Sequence, residues 1–202
     1  MRTIAIGKGE LSSLIRLSRQ ALPEEACGLL GGRRMGDVLV VTPYPVENRL
    51  HSTSRFIIQG YFSHYSHKNR IAVDIKMNKG TKVCAARDGV VIRVVENNTR
   101  GGMSRKNLPY ANLIVIQHAD GVRTGYWHLK HNGALVNIGD TVKRGQVIGL
   151  SGSTGYSATP HLHFLAWKFS QRGNWQNIST RFHTSKGDVY LRPFKFYRKN
   201  PE

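Results

Sequence analysis

From Thr81 onward the chain is a series of short β-branched runs, and nothing else in it constrains the fold as tightly. TKVCAA, GVVIRVV, ANLIVIQH, VRTGYWHL, VKRGQVIGLSG and HLHFLAW follow one another, divided by turn pairs such as Asp88-Gly89, Asp120-Gly121 and Gly139-Asp140. Strands of this length joined by hairpin-type turns predict an antiparallel β domain. The opening differs. Residues 9–22 place Leu11, Leu14, Ile15, Leu17 and Leu22 at roughly helical spacing, and Pro23 closes the run. Strands are expected at Val38–Val41 and at Arg55–Ile58, so this part reads as α/β. The organisation expected is a small α/β segment over 1–59, then a mainly β, antiparallel domain over 60–202 that includes a C-terminal extension. Asn97–Pro109, polar and glycine-containing, reads as a mobile surface loop between two strands.

Within the β region the sharpest chemical signal is Pro160-His161-Leu162-His163-Phe164. Residues two apart in a strand share a face, so His161 and His163 should project side by side. One imidazole could then hold a metal while its neighbour meets substrate or water. The preceding stretch SGSTGYSAT, Ser151–Thr159, is rich in small residues that let a substrate backbone come close. His128, in Tyr126-Trp127-His128-Leu129, is expected on the same strand face as Tyr126. A third cluster, His64, His67 and Asp74, lies in SHYSHKNRIAVDI. Catalytic zinc commonly takes three protein ligands and keeps a fourth position open. One histidine of that pair, with Asp74 and His163, would supply them. Asp74 sits in the apolar run Ile71–Ile75, where an unpartnered carboxylate would be costly.

The stretch GDTVKRGQVIGLSGSTGYSATPHLHF, with YWHL before it and AVDIKMNKGTKVCAARDGVV further upstream, resembles the lysostaphin-type (M23) zinc endopeptidases over roughly 60–168. The resemblance implies an antiparallel β domain with a narrow groove, one Zn2+ at its floor, and hydrolysis of peptide bonds in bacterial peptidoglycan. By position, Asp74 and His163 match two zinc ligands. His128 matches the histidine that stabilises the attacking water or the oxyanion, and His161 the general base. Many members carry the first histidine four residues before the aspartate, where this chain has Arg70, a side chain with no lone pair to offer. A branch with a longer spacer fits Phe62-Ser63-His64 and Asn69 to Asp74, which makes His64 the first ligand and His67 the fallback. The opening segment resembles the first half of the JAMM/MPN metalloprotease fold through PEEACGLLGG, VTPYPVEN and SRFII, with Glu25 at its catalytic glutamate position. The His-x-His-Pro and Ser-x-x-Asp elements that would hold that family's metal are missing, so no second active site is expected.

Bulk composition adds less. The formal net charge of +18 on 202 residues favours polyanions, among them anionic cell-wall polymers, acidic membrane faces and nucleic acid. No basic helix, zinc finger or aromatic-basic sheet motif argues for nucleic acid. Cys27 and Cys84 lack metal-type spacing and read as buried thiols. No apolar run spans a membrane, and the first twenty residues do not read as a secretory signal, although the family resemblance implies a cell-envelope or extracellular location. The alternative to an enzyme is a degenerate, non-catalytic module that grips the wall or activates an amidase.

Overall fold

The computed structural model describes residues 55–63, 67, 70–171 and 173–198. The expected helix at 9–22, the strand at Val38–Val41, Cys27, His64 and the JAMM/MPN-like run up to Ser54 lie outside the described residues. What is described is mainly β, as the turn-divided runs predict. In chain order the strands are β1 (Arg55–Gln59), β2 (Ala72–Lys76), β3 (Lys82–Cys84), β4 (Gly89–Val95), β5 (Gly101–Gly102) and β6 (Leu113–Gln117). Then follow β7 (Val122–Trp127), β8 (Leu129–Ala134), β9 (Thr141–Val142), β10 (Val147–Ser151) and β11 (Gly155–Tyr156). The last are β12 (His161–Phe169), β13 (Trp175–Ile178), β14 (Phe182–Thr184), β15 (Gly187–Val189) and β16 (Phe196–Tyr197).

The large sheet runs β16-β1-β2-β12-β7-β6-β4-β9, and β13 pairs with β12 beyond the end of β2. A second sheet, β3-β10-β8, contributes Val83, Ile148 and Leu129 to the same buried core. The strand expected at Arg55–Ile58 is β1, and it enters the large sheet against β2. β12 holds this architecture together because its sequence alternates. Leu162, Phe164 and Ala166 point into the core, at most 5% exposed, while the residues between them face the other way. Phe164 meets Tyr126 and Phe182 at ring-centroid distances of 5.4 and 5.5 Å. Truncating such a fully buried ring typically costs about 3–5 kcal/mol.

One local expectation changes. The 97–109 stretch carries β5, which pairs in parallel with β11, and a 3₁₀ turn over Arg105–Tyr110 capped by Ser104. Asn107 Nδ2 donates to Gly102 O and ties the turn back to β5. Residues beyond Ser170, which carry little pattern, form β13–β16 and return to the large sheet, where β16 pairs with β1. No helix among the described residues is long and apolar enough to cross a membrane.

Candidate active site

A cavity of about 520 Å³ opens over the face of β12 that carries His161 and His163. At its floor three donor atoms converge. His163 Nδ1 lies 2.7 Å from Asp74 Oδ1, His67 Nε2 lies 3.3 Å from the same oxygen, and the two imidazole nitrogens are 3.3 Å apart. Strand register explains the first of these contacts: His163 sits directly opposite Asp74 where β12 pairs with β2. Side chains directly opposite in adjacent antiparallel strands touch. His67 arrives from the turn before β2, where Arg70 N donates to His67 O. The outer atoms of His67 and Asp74 are anchored by the fold. His67 Nδ1 donates to Gly60 O at 2.9 Å, and Gln59 Nε2 donates to Asp74 Oδ2 at 2.8 Å. A register shift in β1 between Ile57 and Gln59 brings Gln59 opposite Asp74; irregularities of this kind often re-aim a side chain beside an active site.

This donor set fits a divalent ion. Bonds of ~2.0–2.1 Å to a tetrahedral zinc put neighbouring donors about 3.3 Å apart. Two of the three separations have that value, and the shorter one is the hydrogen-bonded pair. Outer hydrogen bonds that orient each ligand are a regular feature of such centres. All three residues are at most 8% exposed. Burial pushes the Asp74 carboxyl up, but hydrogen bonds and charge from His163 and His67 outweigh it, so Asp74 stays ionised far below the usual carboxylate range. Burial pulls both histidines down. At His163 it wins, whereas at His67 the bond to Asp74 and its charge prevail and raise the group. The fold thus holds one carboxylate charge in the site.

Two further imidazoles face the same space. His161 Nδ1 lies 2.7 Å from Thr159 O, and His128 Nδ1 lies 2.7 Å from Thr154 O. A carbonyl only accepts, so each ring carries its proton on Nδ1 and presents Nε2 as a lone pair. The two ring centroids are 4.6 Å apart. Burial first, then the neighbouring His161 and His163 rings, press His128 down to about 3, so it is neutral at pH 7. Its position departs from simple strand alternation. Tyr126 goes fully into the core, whereas His128 faces the cavity. The reason is backbone: β7 ends at Trp127, and His128 adopts φ 64°, the left-handed region. That conformation costs a non-glycine residue about 1–2 kcal/mol and persists where surrounding structure enforces it, often at functional sites.

The 151–159 stretch plays two parts. A Cβ on Gly152 would meet the Leu129–Lys130 backbone at 2.6–2.7 Å, so this glycine serves close packing inside the protein. Tyr156, Ala158 and Thr159 line the cavity. The sequence reading did not single out Gln59, Phe194, Met103 or Leu108 as site residues. Phe194, 74% exposed, comes from the returning tail, and Met103 and Leu108 from the 101–110 turn; all three form cavity wall. Arg70 also lines the cavity and is exposed, apart from the converging donors.

This is a hydrolase-type centre: a buried triad whose donors could hold a metal ion, with two lone-pair imidazoles across an open cavity. Residues 66–177 match the description Peptidase family M23, and the chain belongs to this family. It is 47% identical over 98 residues to the glycyl-glycine endopeptidase ALE-1 of Staphylococcus capitis, covering 48% of this chain and 24% of that one. It is 37% identical over 126 residues to the peptidoglycan DD-endopeptidase ShyA of Vibrio cholerae, covering 60% of this chain and 26% of that one. The chain therefore spans about a quarter of the length of these two curated relatives. The catalytic domain of the prophage-encoded M23 protein EnpA from Enterococcus faecalis shares the fold, with a TM-score of 0.50 at 23% identity over 66% of this chain and 94% of that one.

Proposed function

We propose that the chain is a zinc-dependent endopeptidase that hydrolyses peptide bonds in bacterial peptidoglycan. The observation that carries this reading is the convergence of His67 Nε2, Asp74 Oδ1 and His163 Nδ1 within 3.3 Å of one another under an open cavity. His67 takes the place of first ligand here, on the strength of that convergence; His64, first choice on sequence, lies outside the described residues. A zinc ion held by these three side chains supplies Lewis-acid activation of water and of the scissile carbonyl. The protein's own groups do the rest. His161, with Nδ1–H committed to Thr159 O, offers Nε2 as general base for the water proton. His128 faces the developing oxyanion. Its Nδ1–H is committed to Thr154 O, so it can donate from Nε2 only as the imidazolium, having gained the second proton from solvent through the open cavity. Burial opposes that gain until negative charge develops on the substrate. The names of two relatives, one a glycyl-glycine endopeptidase and one a peptidoglycan DD-endopeptidase, support the substrate class.

The test is release of peptide ends from purified sacculi by the full chain, before and after chelation. Chelation should stop hydrolysis and one equivalent of zinc should restore it. Full hydrolysis by protein shown to hold no metal would overturn the reading.

A further inference from the structure

The sheet face that carries His161 and His163 continues well past the cavity. On β12 the same face carries Leu165, Trp167 and Phe169, and register sets Arg123, Gly125 and Trp127 of β7 beside them. On the other side, where β2 has ended, β13 places Asn177 against Trp167 and Trp175 against Phe169. The rings fall into two groups. Trp127 is 5.8 Å from His163 and 5.8 Å from Trp167, while Phe169 is 5.1 Å from Trp175. Arg123 bridges the two pairs of rings. It pairs with Trp167 in the register, its guanidinium lies 4.1 Å from the Trp175 ring centroid, and its Nε donates to Gln117.

The indoles of Trp127 and Trp167 are tilted 49° to each other, and Phe169 meets Trp175 edge-on at 68°. A Cβ on Gly125 would strike Trp127 at 2.1 Å and Trp167 at 2.9 Å, so the two indoles rest on the bare glycine backbone. Outermost, Phe169 and Trp175 are 51% and 45% exposed. From His163 to Phe169 the track covers six strand steps, roughly 20 Å at ~3.3 Å each.

We propose that this track is a glycan platform, which takes the N-acetylated sugar strand of peptidoglycan while the attached peptide enters the cavity. The proposal rests on the substrate class given above. An extended peptide would bind by adding to a sheet edge, but here β12 is already paired on both sides, with β7 and with β13. Along β12 backbone recognition is thus closed, and side-chain planes are what its face offers. Pyranose rings present flat C–H faces that pack on aromatic planes, and their hydroxyl and acetamido groups need polar partners at the edges. Gln117, Arg123 and Asn177 supply those partners. Continuity with the cavity through Trp127 and Leu165, both cavity-lining, fixes where the sugar strand would lead.

The experiment is calorimetric titration of the zinc-loaded protein with chitotetraose, a peptide-free chain of β-1,4-linked N-acetylglucosamine. Saturable binding is expected, weakened about tenfold in Trp175→Ala, the loss of one well-packed aromatic contact. Phe169→Ala should weaken it in the same direction, which guards against a folding defect in one variant. Both variants should keep bound zinc and their rate on a short peptide free of sugar, and lose several-fold of their rate on intact sacculi. Absence of chitotetraose binding by the parent, or unchanged binding in both variants, would overturn the platform. Because binding is read without hydrolysis, sugar binding by a chain that cuts no peptide would leave the platform standing and remove the peptidase reading.

Discussion

Two buried histidine networks lie on the same sheet, and only one of them can do chemistry. On β6's far end, His118 Nδ1 donates to Asp88 O, and its Nε2 accepts from Thr124 Oγ1, which in turn accepts from Tyr126 Oη. Tyr126 Oη completes the chain by accepting from Ala86 N. Every donor there has an acceptor and every lone pair that matters is used, so the network closes on the backbone and pins the β3–β4 connection to β7. Burial keeps Tyr126 protonated, pushed up to about 12, and keeps His118 below its ordinary value. In the other network the outer atoms are satisfied by Gly60, Gln59, Thr154 and Thr159, while the inner nitrogens and Oδ1 of Asp74 turn toward one another and the cavity. Both networks are buried and contain imidazole. What marks a site is the direction in which the unspent lone pairs point.

Substitutions that break one network should leave the other intact. The largest effect is expected from His163→Ala, which removes a donor and should abolish zinc binding and lower hydrolysis by at least about 10³-fold. Metal analysis beside a sacculus assay checks it. His161→Ala should keep the metal and lose roughly 10²–10⁴-fold in kcat, the usual worth of a general base. Equal loss of metal in that variant would make His161 a ligand. Gln59→Leu removes the bond to the outer oxygen of Asp74, together with the one that Gln59 Oε1 accepts from Ser63 Oγ, and zinc affinity should fall about 10–100-fold with kcat at saturating zinc little changed. Competition with a fluorescent chelator measures this.

The smallest catalytic effect should come from the closed network. Tyr126→Phe strands the Ala86 N–H and should cost about 1–3 kcal/mol of stability with zinc content unchanged. The same network has a pH signature. His118 is lowered in the folded state, so below about 6.5 the unfolded chain takes a proton that the folded chain refuses. Its contribution to stability is complete above that pH and is lost as pH falls through it. Denaturant melts at pH 7.5 and 5.5 should show a steeper acid loss in the parent than in His118→Asn.

How far the sequence disclosed this follows from what each signal measures. The β architecture was legible because period-two runs and Gly-Asp turn pairs are local properties of the chain. The pairing of His163 with Asp74 was legible only through the family pattern, since 89 residues separate them. Alternation misplaced His128 relative to Tyr126, because a single positive φ reverses the face and no residue type announces it here. Gln59 gave no signal at all: a glutamine near a strand end becomes a positioning residue only through a register shift in β1. Phe194 and the β13 aromatics were hidden for a related reason, as the tail lacks periodicity and gains its place from contacts with β1 and β12.

The proposed chemistry turns on which early imidazole completes the metal triad. Zinc stoichiometry of the purified parent, His67→Ala and His64→Ala measures this directly. We expect about one equivalent in the parent and in His64→Ala, and none in His67→Ala. Zinc retained by His67→Ala and lost from His64→Ala would contradict the account.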